Sequence, residues 1–153
     1  MMVGMTTATA PTIDTAELAS RLRLGVTRLA RRLRQEAEAG VTPSQLAALS
    51  TIEAHQPMTV GALSTHEAVQ PPTMTRIVSA LVEAGLVHRE LDPIDRRISW
   101  LRPTPAGVRY LAGSRRRKEA FLAKRLARIA PERLPALLEA VQILEEIVEG
   151  EAR

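Results

Sequence analysis

Apolar and polar positions alternate along this chain with two different periods, and each change of period marks an element. From Asp14 to Glu38, Leu18, Leu22, Gly25, Leu29 and Leu33 recur at three-and-four spacing while arginines take most other positions, which predicts a long amphipathic helix ended by Gly40. Thr42-Pro43-Ser44-Gln45 has the form of a capping box with proline at the first helical position, so a second helix follows through Leu46, Leu49 and Ile52 until Pro57. Thr59 is a suitable N-cap for a short helix holding Val60 and Leu63. Pro72 can open the next helix, because the N–H that proline lacks is not needed there. That helix carries Met74, Ile77, Val78, Leu81 and Val82 on one face and Thr73, Thr75, Arg76, Ser79 and Ala80 around the other, and stops at Gly85.

The period then falls to two. Leu86 to Leu91 alternates as a strand does, Ile98 to Arg102 can pair back onto it, and Asp92-Pro93-Ile94-Asp95-Arg96-Arg97 forms a short charged loop between them. Thr104-Pro105 starts a helix through Val108, Leu111, Leu122, Leu126 and Ile129, broken before Pro131, and a last helix places Leu134, Leu137, Leu138, Val141, Leu144, Ile147 and Val148 on one stripe. The expected architecture is mainly α: a winged helix-turn-helix over residues 41–103 with a two-stranded β wing, flanked by long helical regions at 14–40 and 104–150, and a disordered tail at 1–13. The apolar stripes outside the central module exceed what one small lobe covers, so the long N- and C-terminal helices read as dimerisation helices.

Composition narrows this picture. The chain is 45% hydrophobic but has one Trp, one Tyr and one Phe, so its core must be built from aliphatic side chains, which suits helix on helix. A net charge of +4, carried almost wholly by arginine, favours an anionic partner such as nucleic acid. The absence of cysteine excludes disulfides, thiolate metal sites, cysteine nucleophiles and thiol redox sensing. The N-terminus lacks a basic start followed by an apolar run, and no stretch approaches the roughly 18 apolar residues of a membrane span, so a cytoplasmic protein with no membrane partner is expected.

The candidate chemistry is recognition of double-stranded DNA. A short helix after a tight turn fits a major groove about 12 Å wide, with Thr73, Thr75, Arg76 and Ser79 on its polar side, and the ribbon tip with Arg96 and Arg97 can reach phosphate or the minor groove. Thr59 either caps its helix or directs a hydroxyl at phosphate. Arg115-Arg116-Arg117-Lys118 lies mid-helix, where a charge run is more often a solvated face than a nucleic-acid patch. Trp100 shares a strand face with Ile98, packed on a neighbouring helix or lining a ligand crevice. His55, His66 and His88 show no metal-ligand spacing, and no cofactor motif, phosphate loop or nucleophile with a neighbouring base occurs, so neither a metal site nor an enzyme is expected.

Val41-Thr42-Pro43-Ser44-Gln45-Leu46-Ala47-Ala48-Leu49, Met74-Thr75-Arg76-Ile77-Val78, Leu81 to Arg89, and Asp95-Arg96-Arg97 followed by Thr104-Pro105-Ala106-Gly107 resemble the MarR family of bacterial regulators in order and spacing over roughly residues 15 to 150. The resemblance implies a homodimer assembled from the first and last helices and a pseudo-palindromic operator. It also implies a wing braced by Asp95, with Arg97 and its neighbour Arg96 entering the minor groove. Members of the family commonly bind small amphipathic or phenolic acids at the junction of the dimer helices and the lobes. The resemblance therefore extends such a ligand to this chain as an expectation, although no residue identifies it. Three positions depart from the family pattern: Ala80 where a second basic residue is common, Pro71-Pro72 in place of small polar residues, and Pro103 in place of Leu. The expected function is a sequence-specific transcriptional regulator acting as a repressor; the competing reading is a non-specific architectural DNA-binding protein.

Overall fold

The computed structural model describes residues 14–36 and 40–150, so the tail expected at 1–13 and the end of the first helix at 37–38 lie outside the described residues. The chain divides into two units, Met1–Gln35 and Glu36–Arg153. The first holds α1 (Thr15–Glu36) up to its last residue, a helix with no fully buried side chain whose Leu18, Leu22 and Leu29 are exposed.

In the second unit the elements run α2 (Pro43–His55), β1 (Met58–Thr59), α3 (Val60–His66), α4 (Pro71–Glu83), β2 (Val87–Leu91), β3 (Ser99–Pro103), α5 (Pro105–Leu126), a short 3-10 turn at Pro131–Arg133, and α6 (Leu134–Glu149). The capping box at Thr42 forms as the spacing requires: the Gln45 amide donates to Thr42 Oγ1 at 3.2 Å and the Thr42 amide to Gln45 Oε1 at 2.7 Å. One aliphatic core joins Leu49 and Ile52 of α2, Leu63 of α3, Met74, Val78 and Leu81 of α4, Leu101 of β3 and Leu111 of α5. Helix α6 contributes no buried residue, and Leu137, Leu138, Val141, Ile147 and Val148 stay exposed.

The expected two-stranded wing forms from β2 and β3, and a third strand joins its sheet. Its sheet has three antiparallel strands in the order β1-β3-β2, because Met58 pairs with Leu101 and Thr59 with Trp100 on the free edge of β3. A two-residue strand is too short to leave a periodic signal, which is why pattern alone missed it. Both wing strands also begin one residue later than expected. Leu86 is buried in the turn before β2, accepting the Thr104 amide at 2.9 Å, and the ladder runs from Val87↔Pro103 to Leu91↔Ser99. On α4 the apolar face is narrower than expected: Met74, Val78 and Leu81 are buried and Ile77 half-buried, but Val82 at the margin of the stripe is 36% exposed.

The junction of the wing and α5 is built on one threonine and one glycine. Thr104 Oγ1 donates to the Gly85 carbonyl at 2.6 Å and accepts the Gly107 amide at 3.0 Å, so one hydroxyl caps α5 and ties it to the end of α4. At Gly107 the helix backbone approaches the Leu86 carbonyl so closely that a β-carbon would stand 2.2 Å from its oxygen.

Candidate nucleic-acid interface

Helices α3 and α4 are joined by a tight turn in which Ala68 takes a left-handed φ of 52°. The Val69 amide returns to the Ser64 carbonyl at 3.0 Å and the Glu67 amide to the Leu63 carbonyl at 2.9 Å, so the last carbonyls of α3 are satisfied and the chain is turned toward α4. Gln70 then precedes Pro71 and Pro72 at the first two helical positions, without a side-chain cap. Two prolines remove two of the amide donors that a helix start would otherwise offer a phosphate, which shifts the recognition burden to side chains.

Of the four polar candidates on α4, Thr73, Thr75 and Arg76 are exposed and Ser79 is half-buried. Thr75 Oγ1 donates to the Pro71 carbonyl at 2.9 Å, so its hydroxyl proton is engaged and its oxygen can still accept. Arg76 makes no ion pair or hydrogen bond with any described residue, so its guanidinium is available to a base edge or a phosphate. Thr59 caps α3 by accepting the Ala62 amide at 3.1 Å, and its hydroxyl proton remains free to donate. The same residue is a rung of the wing sheet, opposite Trp100.

The wing loop is organised by two aspartates. Asp95 Oδ1 accepts the backbone amide and Nε of Arg97, both at 3.0 Å, and Oδ2 accepts NH2 of the same arginine at 3.1 Å. The Arg97 side chain is nonetheless 91% exposed, so a two-point ion pair aims it without covering it. The Arg97 guanidinium beside Asp95 holds that carboxyl below its ordinary value, and the carboxylate in turn raises the arginine. Arg96 is exposed and has no partner among the described residues.

Asp92, which sequence reasoning left as one more charge in the loop, closes the base of the wing. Its Oδ1 accepts the amides of Ile94 at 2.8 Å and Asp95 at 2.9 Å, and its Oδ2 accepts the Trp100 indole Nε1 at 2.9 Å. These bonds, the Asp95 amide foremost, then the indole, then the Ile94 amide, lower its pKa. The available signal was Asp directly before Pro, the arrangement of an aspartate that turns the chain and bonds the amides ahead of it. The ring edge of Trp100 is thereby tied to the loop, and the strand residue that enters the helical core is its neighbour Leu101.

Elsewhere the fold joins residues that sequence kept apart. The His55 and His66 rings meet at 4.8 Å between centroids, with Glu67 3.5 Å from His66 Nδ1, but no group of three or more His, Asp or Glu suited to a metal ion occurs among the described residues. Arg115 of the basic run pairs with Glu53 of α2. The second half of α5 borders a cavity of about 460 Å³ lined by Arg117, Phe121, Lys124, Arg125 and Arg128 among others, with the Arg125 guanidinium 4.8 Å above the Phe121 ring. No described helix is long and apolar enough to cross a membrane.

A helix pair joined by a tight turn and followed by an antiparallel wing defines a winged helix-turn-helix DNA-binding regulator of transcription. The MarR family model matches residues 41–99. An HTH-type transcriptional regulator of Mycobacterium leprae is 36% identical over 135 residues, covering 88% of this chain and 94% of the relative. A solved transcriptional regulator from Pseudomonas aeruginosa superposes with a TM-score of 0.79 at 29% identity, covering 90% of this chain and 98% of that one. A mutant of Staphylococcus aureus MepR, solved bound to an oligodeoxyribonucleotide, shares the fold with a TM-score of 0.69 at 15% identity, covering 86% of this chain and 97% of that one. The chain belongs to the MarR family of transcriptional regulators.

Proposed function

We propose that this protein is a homodimeric repressor that reads a pseudo-palindromic operator in double-stranded DNA, a binding activity and not a catalytic one, exercised in the cytoplasm. In this reading residues 41–103 are the DNA-binding region, with Thr73, Thr75, Arg76 and Ser79 directed to the major groove, Thr59 to a phosphate, and Arg96 and Arg97 to the minor groove, Asp95 bracing the last. Residues 14–40 and 104–150 form the dimerisation region. A two-fold dimer matches half-sites about 34–36 Å apart, so small changes in lobe spacing release it.

The observation that carries the reading is the division of labour among the arginines: Arg76 and Arg96 are unpaired among the described residues, while Arg97 is held exposed by a carboxylate. A cation aimed in advance loses less side-chain entropy on binding. For the ligand, the cavity beside α5, lined by Phe121 and by more basic side chains than the single carboxylate of Glu36, has the size and charge to receive a small amphipathic or phenolic acid.

The test is a titration of labelled DNA from upstream of the protein's own gene against scrambled duplex of equal length, at near-physiological salt, with Arg76→Ala and Arg97→Ala alongside. A preference of about 10³ or more for one pseudo-palindrome, reduced in both variants, is the expected result. Equal affinity for both duplexes would replace it with the architectural reading, which net charge alone could serve.

A further inference from the structure

Ile94 at the tip of the wing is 95% exposed, more than any other large hydrophobic side chain among the described residues. A single exposed aliphatic residue is ordinary on a protein surface. Two features of this one are not. First, the loop is clamped: Asp92 holds the amides of both Ile94 and Asp95, Pro93 fixes the preceding φ, and the Asp95 carbonyl accepts the Ile98 amide at 2.9 Å. These bonds fix the backbone that presents the side chain to solvent. Second, it stands beside the arginine pair at 96 and 97, where a nucleic acid backbone would bring sugar and base edges within reach.

Resting on the DNA-binding reading above, we propose that Ile94 is an apolar minor-groove contact, set against deoxyribose walls and base edges beside Arg96 and Arg97 in the same groove. The charge beside it selects the partner: a polyanion whose narrow groove has deoxyribose walls that an aliphatic side chain can line, and not a second protein. A groove about 6 Å wide admits a branched aliphatic side chain, and its floor is smooth over A·T pairs but carries the N2 amino group over G·C pairs. Ile94 therefore contributes a preference for A·T pairs beneath the wing.

The experiment uses the full chain and the best-bound duplex selected by it from a randomised pool. Affinity is measured over a salt series for the wild type, Ile94→Asn, Ile94→Val and Arg96→Ala, on duplexes carrying A·T, G·C or inosine·C under the wing. Ile94→Asn is expected to weaken binding about tenfold with an unchanged salt slope, since no charge is removed, and Ile94→Val to retain most of the affinity. Arg96→Ala is expected to lower the slope by about 0.9. For the wild type, G·C weakens binding and inosine·C, which lacks the minor-groove amino group, restores it; for Ile94→Asn the three duplexes become equal. Wild-type selectivity with Ile94→Asn unchanged in both affinity and base preference would overturn the proposal while sparing the regulator reading. Failure of the wild type to select any duplex would remove both.

Discussion

At Gly107 a β-carbon would meet a backbone oxygen at 2.2 Å, and at Gly85 it would meet nothing, although the backbone there has a φ of +68°. The two glycines are therefore required for different reasons. Gly107→Ala must push α5 away from the end of α4 and is expected to lose about 3 kcal/mol, the upper range for forced repacking. Gly85→Ala meets only the left-handed backbone penalty, about 1–2 kcal/mol. Ala68 presents the converse case, since it occupies the left-handed region without being glycine. Ala68→Gly should gain about 1 kcal/mol, and urea unfolding of the three variants tests the ranking. Asp92 makes the wing sensitive to acid. Its native pKa lies below the ordinary aspartate value of 3.8, so the stabilisation it gives is complete above that value and is lost as pH falls through the lower native one. Trp100 is the sole tryptophan and donates to that carboxylate, so its emission should hold steady down to the ordinary aspartate range and change below it. In Asp92→Ala the change should already be present at neutral pH; emission indifferent to that substitution would contradict the assignment.

At the level of elements, the helix starts were the most legible features. Thr42, Thr59 and Thr104 each accept an amide three residues ahead, a pattern contained within four letters of sequence. Thr42→Ala should remove about 1 kcal/mol by the same urea measurement, because the Gln45 amide loses its Oγ1 acceptor while the Thr42 backbone amide still reaches Gln45 Oε1. What escaped notice depends on partners far along the chain. Strand β1 has meaning only once β3 is beside it, Arg115 finds Glu53 at a separation of 62 residues, and the role of Trp100 follows from a carboxylate eight residues earlier. Local periodicity carries no information about such pairings. The polar face of α4 was legible because helical period alone separates Arg76 from Met74 and Val78.

For the whole molecule, the question is what covers the apolar residues that the core leaves out. Leu138 is 62% and Val148 73% exposed on α6, which contributes nothing to the aliphatic core. A second copy of the chain is the proposed cover. Leu138→Lys combined with Val148→Lys should leave the thermal unfolding of the central module in place while converting a dimer to a monomer by sedimentation, and should abolish binding to the paired half-sites. A wild type that sediments as a monomer at micromolar concentration would defeat the dimeric reading.

The short strand β1 gives the module a mechanical character. With β1 on one edge and β2 on the other, β3 has no free side on which to hinge, and Thr59 belongs at once to that sheet and to the cap of α3. The wing is thus joined to the helix pair through one residue, and in the proposed DNA complex the two are expected to move together. Loss of the proposed wing contact and loss of the proposed helix contact with DNA should therefore arrive together, as the two jaws of one clamp.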